Sequence, residues 1–308
     1  MIRFTMPEPS LSISAQIRML HRQFEEFLHS EALESLLSLL KVDAHSLGSV
    51  YNGRQLGDGR ICETQEVAPL QELEEKREEL YPLFQELGFL GINRPLHQEY
   101  SHILVLGGSM NVCQLRTRYA AGLVSSSTRF VDGLTAFRPI NPIERSAASF
   151  SSLCDTEFGC MSDIFTQVFD LSVEDEAFCG DRNLNKISSI RTLRSPQSRP
   201  RYRVYAAPSS EPEIRRADTG DTLSFYLSQE TLAQSDSILA ITSNQYCNRQ
   251  FVQLAFQLMK KKQPVFLDVV GCTPDEQVVT SEQYAPFQYL QTLIGILDWI
   301  TRFDECFH

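Results

Sequence analysis

Apolar residues recur at helical spacing through the first third of the chain. After Ser12, the residues Ile13, Ile17, Leu20, Phe24, Phe27 and Leu28 fall on one helix face, and Leu33, Leu36, Leu37 and Leu40 repeat the stripe in a second helix. Gly48, Gly53, Gly57 and Gly59 mark the stretch from Val42 to Cys62 as a loop. A third helix is predicted from about Ala68 to Leu87, with Leu70, Leu73, Leu80, Phe84 and Leu87 on its buried side, Arg77 in the seam and a stop at Gly88. Glu72, Glu74, Glu75, Glu78 and Glu79 crowd its other faces, an acidic surface that reads either as a solvated helix or as a place for a protein partner. Residues 1–98 are expected to form a helical domain.

From Tyr100 onward the period changes. Apolar runs at Ile103 to Leu106, Phe130 to Leu134, Arg203 to Ala206, Ile238 to Ile241 and Val265 to Val270 read as strands. They alternate with helical stretches near Asn111 to Val124, Met161 to Phe169, Asp221 to Ala233, Asn248 to Lys261 and Gln288 to Arg302. Strands alternating with helices predict an α/β domain over 99–308, with a mostly parallel sheet and helices on both faces. The stretch 172–216, rich in Ser, Pro and Arg and including Ser195-Pro196-Gln197-Ser198-Arg199-Pro200, is too long for an ordinary connection. It is expected to be an insertion that flanks the ligand crevice and contains one strand.

The first strand runs straight into Gly107-Gly108-Ser109-Met110-Asn111. Two glycines permit a sharp turn, and Ser109 or Asn111 is placed to cap a helix whose amides point back into that turn, which is how a phosphate or carboxylate site is built. A Rossmann-type crevice is therefore expected. The remaining GxGxxG spacing is missing and no acidic residue closes the second strand, which argues against hydride transfer to a dinucleotide.

Charge narrows the partners. Lys and Arg number 28 against 39 Asp and Glu, a formal net charge of -11, which opposes attraction to nucleic acid or anionic lipid. No apolar run is long enough for a membrane span, and Met1 to Pro9 lacks the charged and apolar regions of a signal peptide, so a cytoplasmic protein is expected. The eight cysteines are scattered without a CxxC pair, as suits reduced thiols rather than a disulfide framework or a zinc site.

Other candidates lie where strands end. Arg138 and Glu144, in the loop after the second strand, suit an anion fork and a hydroxyl-orienting base, or else a mutual salt bridge. Asp155 or Thr156 is placed to cap the next helix, with Glu157 at its positive end. Arg215 to Thr222 precedes another helix, where Thr219 could contact a ribose or phosphate and Asp221 could act as a base. After the fourth strand come Thr242, Ser243 and Asn244, with Arg249 in the first turn of the following helix. A cation there works against the helix dipole, so Arg249 is expected to have an anionic partner, either a ligand or a carboxylate such as Glu144 or Asp221. Cys247 sits near the same helix start, where a thiol can become reactive, but has no His beside it. His102 is the one His near a motif, at the strand end opposite the crevice.

Taken in order, these motifs resemble the SanA/YdcF-like family. Leu106-Gly107-Gly108 with Arg116 or Arg118, then Glu144 or Glu157, then Asp218-Thr219-Gly220-Asp221-Thr222, and Thr242 to Arg249 are similar to that family's strand-end motifs across residues 100–270. The family's His falls on Tyr246 here, which removes a proton shuttle working near neutral pH. The resemblance implies a Rossmann-like fold, a link to cell-envelope processes and S-adenosylmethionine as a cofactor, beside the nucleotide that the residues themselves suggest.

The combined reading is a small anionic, nucleotide-like or phosphorylated ligand held at the carboxyl edge of the sheet. Gly107, Gly108, Ser109 and Asn111 would supply amides and caps, Arg138 and Arg249 countercharge, and Thr219, Thr242, Ser243 and Asn244 polar contacts. Glu144 or Asp221 would be the base in a group-transfer or phosphoester-hydrolase reaction. The alternative is a non-catalytic protein that docks a partner through residues 1–98 or the insertion.

Overall fold

The apolar run before Gly107 forms β1 (His102–Leu106), buried on both sides, as a central parallel strand must be. The computed structural model describes residues 1–51, 70–91, 93–146, 148, 154–180, 183–196, 200–272 and 284–307. Cys62, Gly53, Gly57 and Gly59 of the predicted loop, the predicted start of the third helix at Ala68, and Gln197 to Arg199 lie outside them.

The amino-terminal stripes become α1 (Ile13–Leu28) and α2 (Glu31–Leu40), capped by the hydroxyls of Ser12 and Ser30, which accept from Ala15 N and Leu33 N. A short α3 (Leu47–Tyr51) follows. The third predicted helix is split into α4 (Gln71–Glu75) and α5 (Arg77–Glu86), joined at Lys76, whose carbonyl accepts from Glu79 N and Leu80 N. Arg77 leaves the seam to pair with Glu74 and to lie over Tyr81. Gly88, at a φ of 82°, ends the segment.

The sheet has seven strands in the order β3-β4-β5-β2-β1-β6-β7, where β2 is Phe130–Thr135, β3 Ser172–Cys179, β4 Ser188–Arg194, β5 Arg201–Ala206, β6 Ser237–Thr242 and β7 Phe266–Gly271. The run β5-β2-β1-β6-β7 is parallel, with Leu104 opposite both Asp132 and Ala240, while β3 and β4 add an antiparallel edge. The chain steps outward from β1 through β2 to β5, then returns to β6 and β7 on the other side, so the strand order reverses at β1. The region 172–216 thus holds three strands and not one. β3 escaped the hydrophobic pattern because all eight of its residues are exposed at the sheet edge, and no buried face imposes an apolar period. Cross-strand pairs of Glu174 with Arg194 and Glu176 with Arg191 stand in for it.

Helices cover both faces. Ile103, Val105, Val131, Leu239 and Ile241 pack against α6 (Met110–Ala121) and α8 (Glu157–Phe169). Gly133 makes room there, since a Cβ on it would stand 2.8 Å from Met161. The alternate residues Leu104, Leu106, Ile238 and Ala240 face α9 (Thr219–Gln229), α10 (Cys247–Lys260) and α11 (Pro286–Phe307). That second core continues without a break into Leu20, Phe24, Leu36, Leu80 and Phe84 of the amino-terminal helices. The segment before α1 is tied to the sheet as well, through Arg3 on Asp268 and through Asn248, which donates to Ile2 O and Leu87 O. Among the described residues no helix is long and apolar enough to cross a membrane.

At the amino edge of the sheet, buried polar groups meet instead. His102 Nδ1 is 2.7 Å from the Tyr226 hydroxyl, and its Nε2 faces Asp236, which also pairs with Arg129. Asp132 of β2 lies beside Tyr226 and Arg203, and Arg203 in turn holds Glu230 together with the Tyr205 hydroxyl. Burial lowers His102 to about 4 and raises Asp132 to about 7, against the pull of Arg203. Asp132 Oδ2 has no hydrogen-bond partner. The folded state therefore holds a proton on Asp132 that the unfolded chain releases above its ordinary value of 3.8, so this group's contribution to stability declines from there to about pH 7. Asp132→Asn is expected to raise the melting temperature at pH 8, by about 2–4 °C for each 1 kcal/mol recovered. The gain at pH 5 should be clearly smaller, and an equal gain at both pH values, measured by calorimetry, would contradict the protonated carboxyl.

Candidate functional site

The carboxyl end of β1 turns through Gly107 and Gly108 into α6, as the glycine pair predicts. Ser109 occupies the N-cap position, yet its hydroxyl makes no capping bond. Asn111 is exposed in the first turn. The cap comes from elsewhere. Glu144, on the short helix α7 (Pro142–Ser146), reaches the start of α6, where its Oε1 accepts from Met110 N at 2.7 Å. The positive end of α6, expected to face a guest anion, is met by this internal carboxylate.

Glu144 is itself held in a fork. Arg138 Nη1 and Nη2 donate to its two oxygens at 2.8 and 3.0 Å, and Nη2 also donates to Gly108 O at 2.9 Å. Of the two readings open for this pair, the geometry takes the mutual salt bridge, with side-chain exposures of 12% and 7%. A carboxylate engaged at both oxygens is poorly placed to act as a base.

A second carboxylate sits beside the turn. Thr156 caps α8 by accepting from Gly159 N, and Glu157, the first residue of that helix, turns back toward β1. Its Oε2 is 3.4 Å from Ala136 N and 3.9 Å from Arg138 Nε. A Cβ on Gly107 would stand 2.5 Å from Glu157 Oε1 and 3.0 Å from Leu134 O, so a side chain there would displace the Glu157 carboxyl. Burial pushes the Glu157 carboxyl above its ordinary range, against the Arg138 guanidinium. As a residue after a Thr cap it reads as a dipole partner, and nothing local in the sequence announces its burial against Gly107.

On the other side of the turn lies Arg116 of α6, 2% exposed. Its Nη1 donates to Leu106 O at 2.7 Å and to Gly107 O, and its Nη2 donates to Ser243 Oγ at 3.0 Å. The guanidinium thus bridges the ends of β1 and β6, where the strand order reverses. Gly108 leaves space for it, since a Cβ there would be 3.3 Å from Nη1. Burial raises the Tyr284 phenol, and Arg116 draws it back down, which puts Tyr284 within electrostatic reach of the same spot.

The remaining candidates separate. Thr242 is buried at the end of β6 and its Oγ1 has no hydrogen-bond partner. Asn244 donates to Gly91 O at 2.8 Å and packs against Gly271, bracing the segment after α5. Thr219 begins α9 and accepts from Gln250 at 3.4 Å, on the face covered by α10. Asp221 forms a capping box with Asp218, accepts from Arg215 at 2.6 Å and from Ser210 N at 3.3 Å, and has both oxygens engaged. Arg249 does not join Arg138 at the turn. It packs against Gly295 of α11, within electrostatic reach of Asp218 and Asp298. Cys247 is buried and its thiol is pushed up to about 12, which removes the nucleophile reading. Among the described residues no group of three or more His, Cys, Asp or Glu is placed to hold a metal ion.

Removing one partner of the Arg138–Glu144 pair leaves a buried charge alone. Glu144→Gln and Arg138→Met should each cost about 3 kcal/mol, and the double variant should cost less than their sum by about 1–3 kcal/mol. Urea unfolding at pH 7 reads this directly, and additive losses would show that the two side chains do not act as a unit.

No protein-family model matches the sequence, and neither the curated proteins nor the solved structures return a match.

Proposed function

We propose that this chain is a Rossmann-like protein that binds a small anionic, nucleotide-like or phosphorylated molecule at the carboxyl edge of its central strands. The observation that carries this reading is Arg116, a buried guanidinium that spans the β1 turn and the loop after β6 and, among the described residues, bonds only neutral acceptors. Open α/β sheets take their ligands where the strand order reverses, and a buried cation without a carboxylate favours an anionic guest. Gly107, Gly108 and Ser109, all partly exposed, line the approach, and Ser243 adds a hydroxyl. A nucleotide phosphate and the carboxylate of S-adenosylmethionine both suit that charge. The motif order shared with SanA/YdcF-like proteins supports the same place, with Arg116 as the downstream arginine and Glu157 as the acid.

For a group-transfer or hydrolytic step the acid available is Glu157, because Glu144 and Asp221 have both oxygens engaged. Partner docking through the acidic helices is the weaker reading. Glu72 and Glu74 pair with Lys76 and Arg77 of their own segment, and the apolar stripes of α1, α2 and α5 are spent on the core.

Thermal-shift screening of the whole chain against inorganic phosphate, nucleoside mono- and diphosphates, sugar phosphates and S-adenosylmethionine tests the proposal, followed by calorimetry. At least one compound is expected to bind with one site per chain, and at about 100 times its Kd it should add about 2.7 kcal/mol of stability. A flat response across the panel would overturn the reading.

A further inference from the structure

A guanidinium carries five N–H donors: one on Nε and two on each terminal nitrogen. In Arg116 both hydrogens of Nη1 are spent on Leu106 O and Gly107 O, and one hydrogen of Nη2 is spent on Ser243 Oγ. Nε is buried and has no hydrogen-bond partner. The unspent donors are therefore Nε–H and one Nη2–H, on the two nitrogens that flank a single edge of the planar group. Ser243, 9% exposed, accepts from Arg116 and its own hydroxyl hydrogen has no acceptor among the described contacts. Among the described residues no acceptor receives these donors. A neutral guest would leave the charge uncompensated, and a cation would be repelled.

We infer that the Nε–Nη2 edge of Arg116, together with the Ser243 hydroxyl, is the seat of a single oxyanion, a phosphoryl or carboxylate group of the ligand. The inference rests on the functional reading above and assigns its anchoring group. The planar edge matches two oxygens of such a group bidentately, and the hydroxyl donates to one of them. Arg138 and Glu144 remain an internal pair on the far side of the Gly107–Gly108 turn, and Arg249 lies against α11.

The test uses the full chain at constant ionic strength, with inorganic phosphate and acetate as probes, in thermal shift and calorimetry. Phosphate is expected to stabilise the native chain, Arg116→Met to weaken that binding at least tenfold, and Ser243→Ala to weaken it several-fold. Arg302→Met, which removes a guanidinium lying on Trp299, should leave it unchanged. Acetate binding with the same dependence on Arg116 would identify a carboxylate as the guest.

Native binding that survives undiminished in Arg116→Met overturns this seat while leaving a ligand at the carboxyl edge intact. No response of the native chain to these probes, nor to the larger panel, overturns both. Should Arg116→Met fail to fold, Ser243→Ala decides, and unchanged phosphate affinity in that variant overturns the seat.

Discussion

The carboxyl edge of the sheet depends on the carboxylate of Glu144, which caps α6 and is gripped by Arg138 at the same time. The first turn of any helix leaves amides without partners, and Ser109 does not satisfy them here. Glu144 does so from a different loop, which ties the end of β1 to the segment after β2. Burying that carboxylate requires a cation, and Arg138 supplies it while also bonding Gly108 O. The turn is thereby fixed from both sides. Glu157 then fits against Gly107 only because no Cβ stands in its way.

The two edges of the sheet solve the burial of charge differently. At the amino edge three carboxylates, Asp132, Glu230 and Asp236, share Arg129 and Arg203, and the excess is relieved by a proton on Asp132. At the carboxyl edge Glu144 and Glu157 lie near Arg138, with Arg216 also drawing on Glu157, while Arg116 stands apart on two carbonyls and a hydroxyl. The pairing is uneven, because both acids lie against Arg138. A proton cannot relieve the imbalance at Arg116 as it does at Asp132, since a guanidinium keeps its charge in a protein.

Most of the fold is legible in the chain wherever one face of an element is buried. The strands at Ile103, Phe130, Ile238 and Phe266 and the helices at Ile13, Glu31, Met110 and Cys247 all announce themselves by period. The edge strand β3 does not, because it buries no face, and the break at Lys76 follows from no Gly or Pro at that position. At the site, local signals gave the glycine turn, the Thr156 cap and the capping box at Asp218. Contacts between distant segments stayed hidden: Glu144 on Met110, Glu157 on Gly107, and Arg249 on Gly295 are set by which face of the sheet each helix covers. Ser243 directly follows β6 and meets Arg116, whereas Arg249, in the first turn of α10, lies against α11.

The isolation of Arg116 does not come from any shortage of acid. The chain has 39 acidic residues against 28 basic ones, and the other well-buried guanidinium groups find carboxylates: Arg3 has Asp268, Arg138 has Glu144, Arg203 has Asp132 and Glu230, and Arg215 has Asp221. Arg116 is more deeply buried than any of these, and it meets two carbonyls and a hydroxyl. Dipoles of that kind hold the group in place without cancelling its charge, so desolvation remains only partly offset. A chain this acidic would gain from placing a carboxylate at Ser243. A hydroxyl there instead leaves the cation without a carboxylate among the described residues, where the strand order reverses at β1.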